Sequence, residues 1–557
     1  MTTSDIESKK SVFASKSYTY HRKTKHTIQS LYSSGHRLDW ATQPNPFRVY
    51  DGADVIELPT SFTERSIELH LLISKMIESQ CDAEQAEQIQ ASIPIQTPAN
   101  LQSISELLFY SMSISAWKQI KGTSESWALR VNPSSGNLHP TETHILIGSG
   151  GGIESGVYHY RVREHSLEKR SSASIIEPLW AVLKKENEPR PNAIVCLTSI
   201  FWREAWKYRE RAFRYCQLDL GHASAAICLS ASLLGWQTEL INEFADEEVS
   251  RLLGIESFDE RPMLFIPLYA GDTDMPASHF DTAKPANFIG LPNQLSSSQI
   301  SYDVIEEVYR AGCLPGSDNA AEPLKISNAR FILQNDESAE RLNLSNKSLS
   351  LPAGPSAQQV VRNRRSAVEM DHSFKSSLAR FSRILIDSTR GFKSSFGKVL
   401  SLNPSDRELS HFVDILLYVH RVDGIAPGVY HFDRNTFDLT CLNETNCRNF
   451  SKYASCMQDI ASDGIFAVSL VADMQAAFEV FGERFYRYVH QEAGFIGQLF
   501  YLTARSLDID ATGIGCFLDD EINRSLPEGM EVVYNFTFGR ALIDERLTEL
   551  PAYPFMS

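Results

Sequence analysis

The sequence lacks the features that would place the protein in a membrane, outside the cell or around a metal ion. It has no apolar run of about 18 residues, and its first ten residues show neither the apolar stretch nor the cleavage site of a signal peptide. Its nine cysteines form no CxxC pair and no Cys/His cluster at metal-ligand spacing. We therefore expect a cytoplasmic protein with no metal site, whose cysteines are mostly small core residues.

The chain is also short of basic residues. Its formal net charge is −16 over 557 residues, and both nucleic acid and an anionic membrane require a positive protein surface. We expect neither as a general partner, and any bound phosphate group needs a local basic pocket. With 43% hydrophobic and 22% charged residues, the composition is that of a globular protein with room for two or three domains.

One long stretch of sequence occurs twice. Residues Glu210–Leu253 and Glu483–Leu526 align without a gap, so that ERAFRYCQLDLGH lies over ERFYRYVHQEAGF and FADEEVSRLL lies over FLDDEINRSL. The matched pairs include Arg211 with Arg484, Arg214 with Arg487, Tyr215 with Tyr488, Gly221 with Gly494 and Asp246 with Asp519. A repeat of this length indicates a duplicated domain and not a solenoid. We expect the arginines that both copies share to be structural, joining helix to sheet.

The order of predicted elements is the same in both repeats. In the first, LLFYSMSISAWKQI predicts a helix, ETHILIG and GVYHYRV a β-hairpin, NAIVCLTSI a strand, about Glu204 to Leu234 a long helix, and MLFIPLYA a last strand. This order is typical of an α+β domain and not of alternating βαβ units. The predicted segments are a leader at 1–95, a first domain at 96–275, a linker at 276–355 and a second domain at 356–557.

Two short segments have the composition of ligand sites. RVNPSSGNLHPTE, which begins at Arg130, offers hydroxyls and backbone N–H groups that can hydrogen-bond the edge of a planar heterocycle. An ordinary turn at the start of a helix would have the same composition. RNRRS, at Arg362–Ser366, carries three guanidinium groups and a hydroxyl, which suit a phosphate dianion. A solvent-exposed charge run is the alternative. Gly148–Gly152 lacks the spacing of a phosphate loop, so we interpret it as a hairpin loop.

Together, the motifs R-x-x-P-S-S-G-N-L-H-P-T-E, G-V-Y-H-Y and K-Y-x-E-R-A-F-R-Y resemble those of SagB/ThcOx-type dehydrogenases in the nitroreductase superfamily. The resemblance covers most of the chain, and the leader is similar to those of the long, tandem members. It implies an α+β fold, a dimeric arrangement and FMN at the dimer interface. One partner would supply the P-S-S-x-N turn to the isoalloxazine. The other would supply an R-R-S phosphate segment and a T-G-x-G turn.

The resemblance also implies particular site residues. Lys207 and Tyr208 match the Lys-Tyr pair that lies over the flavin in SagB-type azoline oxidases, where such a pair can remove a proton as hydride leaves. The alternative is that Tyr208 packs and Lys207 is solvated. The implied FMN ligands are Arg130, Pro133, Ser134, Ser135, Gly136 and Asn137 in the first repeat, and Arg362, Arg364, Arg365, Ser366, Gly513, Ile514, Gly515 and Arg546 in the second.

Each repeat keeps only half of the implied site. Opposite the PSSGN turn the second repeat has PSDRE at 404–408, and opposite Thr512–Gly515 the first has Glu239–Asn242, without either glycine. Val480 and Phe481 stand where the first repeat has its Lys-Tyr pair. We therefore predict an internal pseudo-dimer with one complete and one degenerate site, and one FMN per chain. Further oligomerisation stays open.

The resemblance implies an FMN-dependent dehydrogenase that oxidises an azoline-like ring, or a related C–N or C–C bond, in a small molecule or a modified peptide. An NAD(P)H-dependent reductase of nitro compounds or quinones is an alternative, and it would not need the Lys-Tyr pair. A flavin-free binding or scaffold protein is a second alternative. The motif residues missing from each repeat argue against a flavin-free protein, because their absence still leaves one whole site intact.

Overall fold

The computed structural model describes residues 14–33, 37–77, 97–148, 152–172, 179, 190–256, 259–270, 287–314, 341–345, 351–390 and 411–553. The strands are β1 (Tyr50–Asp51), β2 (Asp54–Glu57), β3 (Ile114–Ile120), β4 (Ser126–Arg130), β5 (Thr141–Ile147), β6 (Gly156–Arg161), β7 (Ser166–Ser171), β8 (Ala193–Ser199), β9 (Gln237–Thr238), β10 (Arg261–Tyr269), β11 (Leu291–Pro292), β12 (Arg341–Asn343), β13 (Val413–Val419), β14 (Gly428–Phe432), β15 (Asp438–Glu444), β16 (Phe466–Asp473), β17 (Asp510–Ile514), β18 (Met530–Gly539) and β19 (Leu547–Leu550). The helices are α1 (Lys16–Lys23), α2 (Ile28–Ser33), α3 (Leu69–Ile77), α4 (Leu101–Phe109), α5 (Phe201–Tyr208), α6 (Ala212–Leu233), α7 (Asp246–Leu252), α8 (Asp303–Ala311), α9 (Ala357–Asn363), α10 (Leu378–Arg390), α11 (Arg448–Ala454), α12 (Ile460–Asp463), α13 (Met474–Phe481), α14 (Phe485–Ser506) and α15 (Asp519–Asn523).

Two seven-stranded sheets form the framework, and they share one topology. The strand order is β2-β7-β6-β5-β8-β10-β9 in the first repeat and β12-β15-β14-β13-β16-β18-β17 in the second. All of these neighbours pair antiparallel. The predicted tandem α+β architecture is therefore confirmed, and the duplication seen in the sequence is a duplication of the sheet.

The predicted hairpins form, but one predicted helix is partly a strand. Strands β5 and β6 pair in the first repeat, and β13 and β14 pair in the second. The helix predicted over LLFYSMSISAWKQI ends at Phe109, and ISAWKQI is strand β3. It is extended because it pairs with β4 on one side and with the C-terminal strand β19 on the other. That second partner is far away in sequence, so the local pattern could not reveal it.

The long helix predicted from Glu204 to Leu234 is broken into two. Helix α5 ends at Tyr208 and α6 begins at Ala212. The backbone of Arg209 between them has a φ of +52°, which cannot continue a right-handed helix. The second repeat breaks at the same place, where Gly482 has a φ of +54°. Because of this break, the short α5 does not continue into α6, and its last residues, Lys207 and Tyr208, are not part of the long helix.

Helices α6 and α14 cross at two glycines that match in the repeats. A Cβ atom on Gly221 would lie 2.2 Å from the Gln491 carbonyl oxygen, and one on Gly494 would lie 2.0 Å from the Leu218 carbonyl oxygen. Only glycine permits the two backbones to approach this closely. Each helix also contacts its own sheet. The two sheets therefore enclose a central helix pair, which relates the repeats as a pseudo-dimer.

Buried ion pairs tie the repeats together in two mirrored sets. The sets are Arg211 and Arg214 with Asp519, and Arg484 and Arg487 with Asp246, at N–O distances between 2.7 and 3.1 Å. In each set two guanidinium groups of one repeat share a carboxylate of the other. Burial would raise the pKa of both carboxyl groups, but the arginines outweigh it and hold each pKa below its ordinary value. The shared arginines are thus structural, although they join a long helix to the other repeat's short helix and not to a sheet.

Both ends of the described chain pack across the repeats. Ser17 of α1 donates its backbone N–H to Glu483 at 2.8 Å, and Tyr20 donates its hydroxyl to the Glu210 carbonyl at 2.6 Å. At the other end, β19 pairs with β3 of the first repeat, and the half-buried Tyr553 accepts the Ile114 backbone N–H at 3.0 Å. Across the ranges that the structure describes, no helix has the length and apolar character needed to cross a membrane.

Candidate active site at the junction of the repeats

A cavity of about 280 Å³ lies between the two repeats. Strand ends and turns of the first repeat form one wall, and strand β17 with the turn after it forms the other. The lining residues are Pro133, Ser134, Ser135, Gly136, Tyr208, Tyr215, Asp219, His222, Ser366, Gln458, Tyr501, Gly513, Ile514, Gly515, Cys516 and Tyr534. The cavity therefore brings together four segments singled out in the sequence: the PSSGN turn, the Lys-Tyr pair, RNRRS and the TGIG turn. They lie up to about 380 residues apart in the chain.

The PSSGN segment forms a strained turn on the cavity wall. Gly136, Asn137 and His139 have φ values of +61°, +60° and +52°, in a region that residues other than glycine rarely adopt. Hydrogen bonds hold the turn, because the Ser134 hydroxyl accepts the His139 backbone N–H at 2.8 Å. The Asn137 amide points into the protein and donates to the Ala128 carbonyl at 3.0 Å. Strain maintained in this way is typical of functional sites.

The Lys-Tyr pair at the end of α5 meets this turn. A Cβ atom on Gly136 would lie 2.7 Å from the Tyr208 hydroxyl oxygen and 3.1 Å from the Lys207 Nζ atom. Only a residue without a side chain leaves room for both groups there. The Tyr208 ring also contacts that of Tyr215, with centroids 4.4 Å apart. Burial, and then the nearby Glu204, raise the pKa of the Tyr208 phenol well above its ordinary value, so this hydroxyl stays protonated.

The TGIG turn supplies the opposite wall, and its glycines are required by aromatic neighbours. A Cβ atom on Gly513 would lie 2.2 Å from the Tyr534 hydroxyl oxygen, and one on Gly515 would lie 2.4 Å from the Tyr215 ring. The backbone N–H of Gly513 donates to the Tyr501 hydroxyl at 2.8 Å. Backbone and phenol groups of both repeats therefore surround the same space.

Two buried acids lie behind the PSSGN turn. Asp219 accepts the backbone N–H of Ser135 at 3.1 Å and its hydroxyl at 3.2 Å. Burial raises the pKa of Asp219 to about 7, although its hydrogen bonds to Ser134 and Ser135 act in the opposite direction. Burial, and then the nearby Asp219, raise the pKa of Glu204 well above its ordinary value. The turn thus rests on acids that can hold protons near neutral pH.

One arginine of the RNRRS segment is a buried cation without a carboxylate partner among the described residues. Arg364 is 4% exposed, and it donates to the carbonyl oxygens of Val131 at 3.1 Å and Arg130 at 3.0 Å. Its Nη1 atom lies 3.4 Å from the hydroxyl of Ser366, which lines the cavity. Burial lowers the pKa of Arg364 to about 10, and Tyr501 partly offsets this. A buried positive charge beside a cavity favours an anion there.

The other two arginines of this segment do not reach the cavity wall. Arg362 donates to the Phe109 carbonyl at 3.1 Å and lies 4.1 Å from the centre of the Phe109 ring. Arg365 forms a two-pronged pair with Glu549, with both N–O distances 3.0 Å. The Arg362 guanidinium therefore joins the two repeats, whereas the Arg365 guanidinium holds strand β19 of its own repeat. The phosphate role predicted for both arginines stays a prediction.

Arg130 and Arg546 are also placed away from the lining. Arg130 is buried, and its guanidinium donates to the Pro46 carbonyl at 2.5 Å. The side chain of Arg546 is 85% exposed and pairs with Asp544 at 2.7 Å. The structure thus assembles most of the predicted flavin turns but not every predicted cation. The roles of Arg130, Asn137 and Arg546 toward a cofactor stay predictions.

At three positions matched by the repeat, side chains stand where the cavity has glycines or Tyr208. Leu240 and Asn242, which stand opposite Gly513 and Gly515 in the repeat, are fully buried. Phe481, opposite Tyr208, stacks on Tyr488 with ring centroids 4.0 Å apart and planes at 15°. The PSDRE segment at 404–408 lies outside the described residues. That one of the two sites is degenerate stays a prediction.

Several lining residues were not predicted from the sequence. These are Tyr215, Asp219, Gln458, Tyr501, Cys516 and Tyr534. Two of them could have been inferred from their neighbours in the sequence. Cys516 follows the TGIG turn directly, and Asp219 lies one helical turn after Tyr215. His222, which also lines the cavity, is buried and contacts the Gln498 amide and the Tyr534 hydroxyl.

The duplicated sheet and the cavity between its copies describe a two-domain α+β protein with a pocket at the junction of the domains. A sequence model described as the nitroreductase family matches residues 124–271 and 294–540, which is more than half of the chain. The chain therefore belongs to the nitroreductase family, and it is an oxidoreductase with two tandem domains. The resemblance to this superfamily found in the sequence is confirmed.

Comparisons with individual proteins agree. The chain is 31% identical over 176 residues to the trifolitoxin-processing protein TfxB of Rhizobium leguminosarum bv. trifolii, a match that covers 30% of this chain and about half (47%) of TfxB. It is 25% identical over 173 residues to MJ1384 of Methanocaldococcus jannaschii, whose name places it among nitroreductases; this covers 31% of the chain and 81% of MJ1384. A crystal structure of a nitroreductase-like protein from Anabaena variabilis has the same fold, with a TM-score of 0.71, 24% identity, and coverage of 95% of this chain and all of that one.

Proposed function

We propose that the protein is an FMN-dependent dehydrogenase of the SagB type, with one FMN per chain in the cavity between the repeats. The observation that carries this proposal is the convergence of the PSSG turn, the Lys-Tyr pair and the TGIG turn around one cavity. These motifs were assigned to flavin binding from sequence resemblance alone. Their meeting in one place is independent support, because nothing in their spacing along the chain requires it.

The residues present fit FMN. The PSSG and TGIG turns would hold the planar ring system, since their glycines leave a cradle that a Cβ atom would fill. Arg364 and Ser366 would hold the phosphate, because a buried cation without a described carboxylate partner needs an anion. When bound, FMN supplies a two-electron acceptor for hydride.

The chain's own groups would manage the proton. Tyr208 keeps its proton, so it acts as a hydrogen-bond donor and not as the base. The Lys207 amine, which meets the same point of the PSSG turn, is the proposed base. Asp219 has a pKa of about 7 and can accept or return a proton at the cavity wall at neutral pH.

We propose that the substrate is an azoline-like ring in a modified peptide. The support is the similarity to TfxB, whose name describes the processing of trifolitoxin, together with the Lys-Tyr pair of SagB-type oxidases. The oxidation would remove two electrons and two protons from the ring and make it aromatic. The physical demand is a base beside the flavin, and the Lys207 amine, whose Nζ atom lies close to Gly136 of the PSSG turn, is the group proposed for it.

The test combines flavin counting with a double variant. The purified protein should contain close to one FMN per chain, and Lys207→Ala/Tyr208→Phe should keep that FMN while losing at least about 100-fold in azoline oxidation, the range that a positioned acid–base group supplies. Phe481→Leu, at the matching position of the second repeat, is the control and should keep full activity. Retained NAD(P)H-dependent nitro or quinone reduction in the double variant would favour the reductase alternative. A protein that takes up no FMN would leave only the scaffold alternative.

A further inference from the structure

Three side chains capable of binding a metal ion meet beside the cavity. They are His26 from the segment after α1, Cys456 from the turn after α11, and Cys516, which lines the cavity. One ligand atom from each residue lies within 4.8 Å of the other two. Because His26 lies 430 residues before Cys456 (456 − 26), and Cys516 lies 60 residues after it (516 − 456), cysteine spacing in the sequence predicts no such site.

We propose that His26, Cys456 and Cys516 bind a zinc-class metal ion at the wall of the cavity. Zinc favours thiolate sulfur and imidazole nitrogen at about 2.3 and 2.1 Å in tetrahedral geometry. Such a geometry spaces its ligand atoms by roughly 3.5–3.8 Å, which the observed limit of 4.8 Å accommodates with small side-chain movements. Thiolate and imidazole together also discriminate against magnesium and calcium, which require oxygen ligands.

The segments that carry the ligands are fixed to one another. The backbone N–H of Leu518 donates to the Ala454 carbonyl at 2.7 Å. The Gln458 amide donates to the Cys516 carbonyl at 3.2 Å, so hydrogen bonds join the two cysteine segments at two points. The backbone N–H of His26 donates to Asp519 at 2.9 Å. The cluster is therefore assembled by the fold and not by chance contact of mobile side chains.

The polar atoms of the cluster have unmet demands that an ion would satisfy. The His26 Nδ1 atom is shielded from solvent and makes no well-aligned hydrogen bond within the described part of the chain. Cys456 has a φ of +54°, a backbone conformation that residues other than glycine rarely adopt. Asp519 is already neutralised by Arg211 and Arg214. Two thiolates and a neutral imidazole around a divalent cation would give a site without net charge.

Three protein ligands leave one position of a tetrahedral ion open. Structural zinc sites are usually closed by four protein ligands, whereas sites with three ligands and an open position bind water or a substrate atom. Since Cys516 lines the cavity, the ion would lie where a heteroatom of a bound molecule can reach it. The inference does not rest on FMN binding, because none of the three ligands is among the predicted flavin residues.

The experiment measures metal in the full-length protein purified with a phosphine reductant. Zinc should be present at about one ion per chain, the content of a single site. Replacing it by Co²⁺ should produce tetrahedral ligand-field bands in the red, beyond the absorption of oxidised flavin. His26→Gln, Cys456→Ser and Cys516→Ser should each weaken zinc binding by at least about 10–100-fold in a competition with a chelator. Cys441→Ser, a half-buried cysteine elsewhere in the second repeat, is the matched control and should bind zinc normally.

Flavin is counted in the same samples, which separates this inference from the proposed function. Loss of zinc with retained FMN in His26→Gln, an uncharged replacement on a half-exposed residue, would support the metal site even if the cysteine variants fail to fold. Absence of zinc, equal zinc in wild type and His26→Gln, or a Cys456–Cys516 disulfide in the freshly purified protein would overturn it.

Discussion

The mirrored ion pairs allow a prediction in which one repeat is the control for the other. Asp519→Asn removes the negative charge that two buried guanidinium groups share, at 2.8 and 3.1 Å from its oxygens. Asp246→Asn does the same in the mirrored set, where both distances are 2.7 Å. Breaking a buried pair of this kind costs about 3–5 kcal/mol. The two variants should therefore lose similar amounts of free energy of unfolding.

Their effects on the cavity should differ. Asp519 begins helix α15 three residues after the cavity-lining Cys516, and it also holds the His26 backbone. Asp246 begins α7, four residues after Asn242, which stands opposite Gly515 in the repeat. We expect Asp519→Asn to lower FMN content under native conditions and Asp246→Asn to leave it unchanged. Denaturant titration monitored by circular dichroism gives the stability, and released flavin fluorescence gives the content.

The carboxyl groups of Asp519 and Asp246 also predict how the stability of the fold depends on pH. Both carboxyl groups have a lowered pKa in the folded protein, so their contribution is fully present above the unfolded value of about 3.9 and is lost as the pH falls toward the folded values. The wild type should therefore lose stability below about pH 4 more steeply than either variant. A stability loss under about 1 kcal/mol in both variants, or equal loss of flavin in both, would refute the reasoning.

Three further predictions test single contacts. Gly515→Ala places a Cβ atom against the Tyr215 ring and should cost about 1–3 kcal/mol of FMN binding; unchanged affinity in fluorescence titration would contradict the assigned cradle. Arg364→Gln should weaken FMN by about 1.5–3 kcal/mol, the value of charge-assisted hydrogen bonds, but leave riboflavin binding unchanged, and equal losses for both ligands would argue against a phosphate role. Gly221→Ala forces apart the two central helices and should destabilise the fold by about 1–3 kcal/mol, so a wild-type denaturation midpoint would show that the helices can separate freely.

The fold was largely predictable because its signals are local or repeated. Hairpin strands of alternating or continuous apolar residues and a gap-free repeat specify both sheets. What failed was the strand β3, whose partner β19 lies more than 400 residues away, and the break at Arg209, where the helical pattern continues through a residue with positive φ. Neither pairing at such a distance nor a backbone kink without glycine or proline leaves a trace in a window of neighbouring residues.

The sequence indicated which turns line the cavity, but not which partners the arginine side chains contact. Glycine-containing turns keep their shape wherever they occur, and the PSSG and TGIG motifs both line one cavity. An arginine has a long side chain with several partners available, and its position in the sequence does not decide which one it takes. Arg364 faces the cavity through Ser366, whereas Arg365, its neighbour in the chain, pairs with Glu549 on the outside. The cluster of His26 with Cys456 and Cys516 could not be predicted either, because these residues lie far apart in the sequence.

Fusion of two copies explains how one site could be lost while the other stays intact. In a symmetric homodimer every substitution changes both sites, so a filled site would abolish function altogether. In a fused chain the halves vary independently, and a residue such as Leu240 can be buried in the redundant site. Burying a leucine side chain stabilises a fold by about 1.5–3 kcal/mol, and stacking Phe481 on Tyr488 adds to this. Leu240 and Phe481 thus stabilise the scaffold. The strained PSSGN turn, the buried acids Asp219 and Glu204, and Arg364, which has no carboxylate partner among the described residues, cost stability and lie at or beside the cavity.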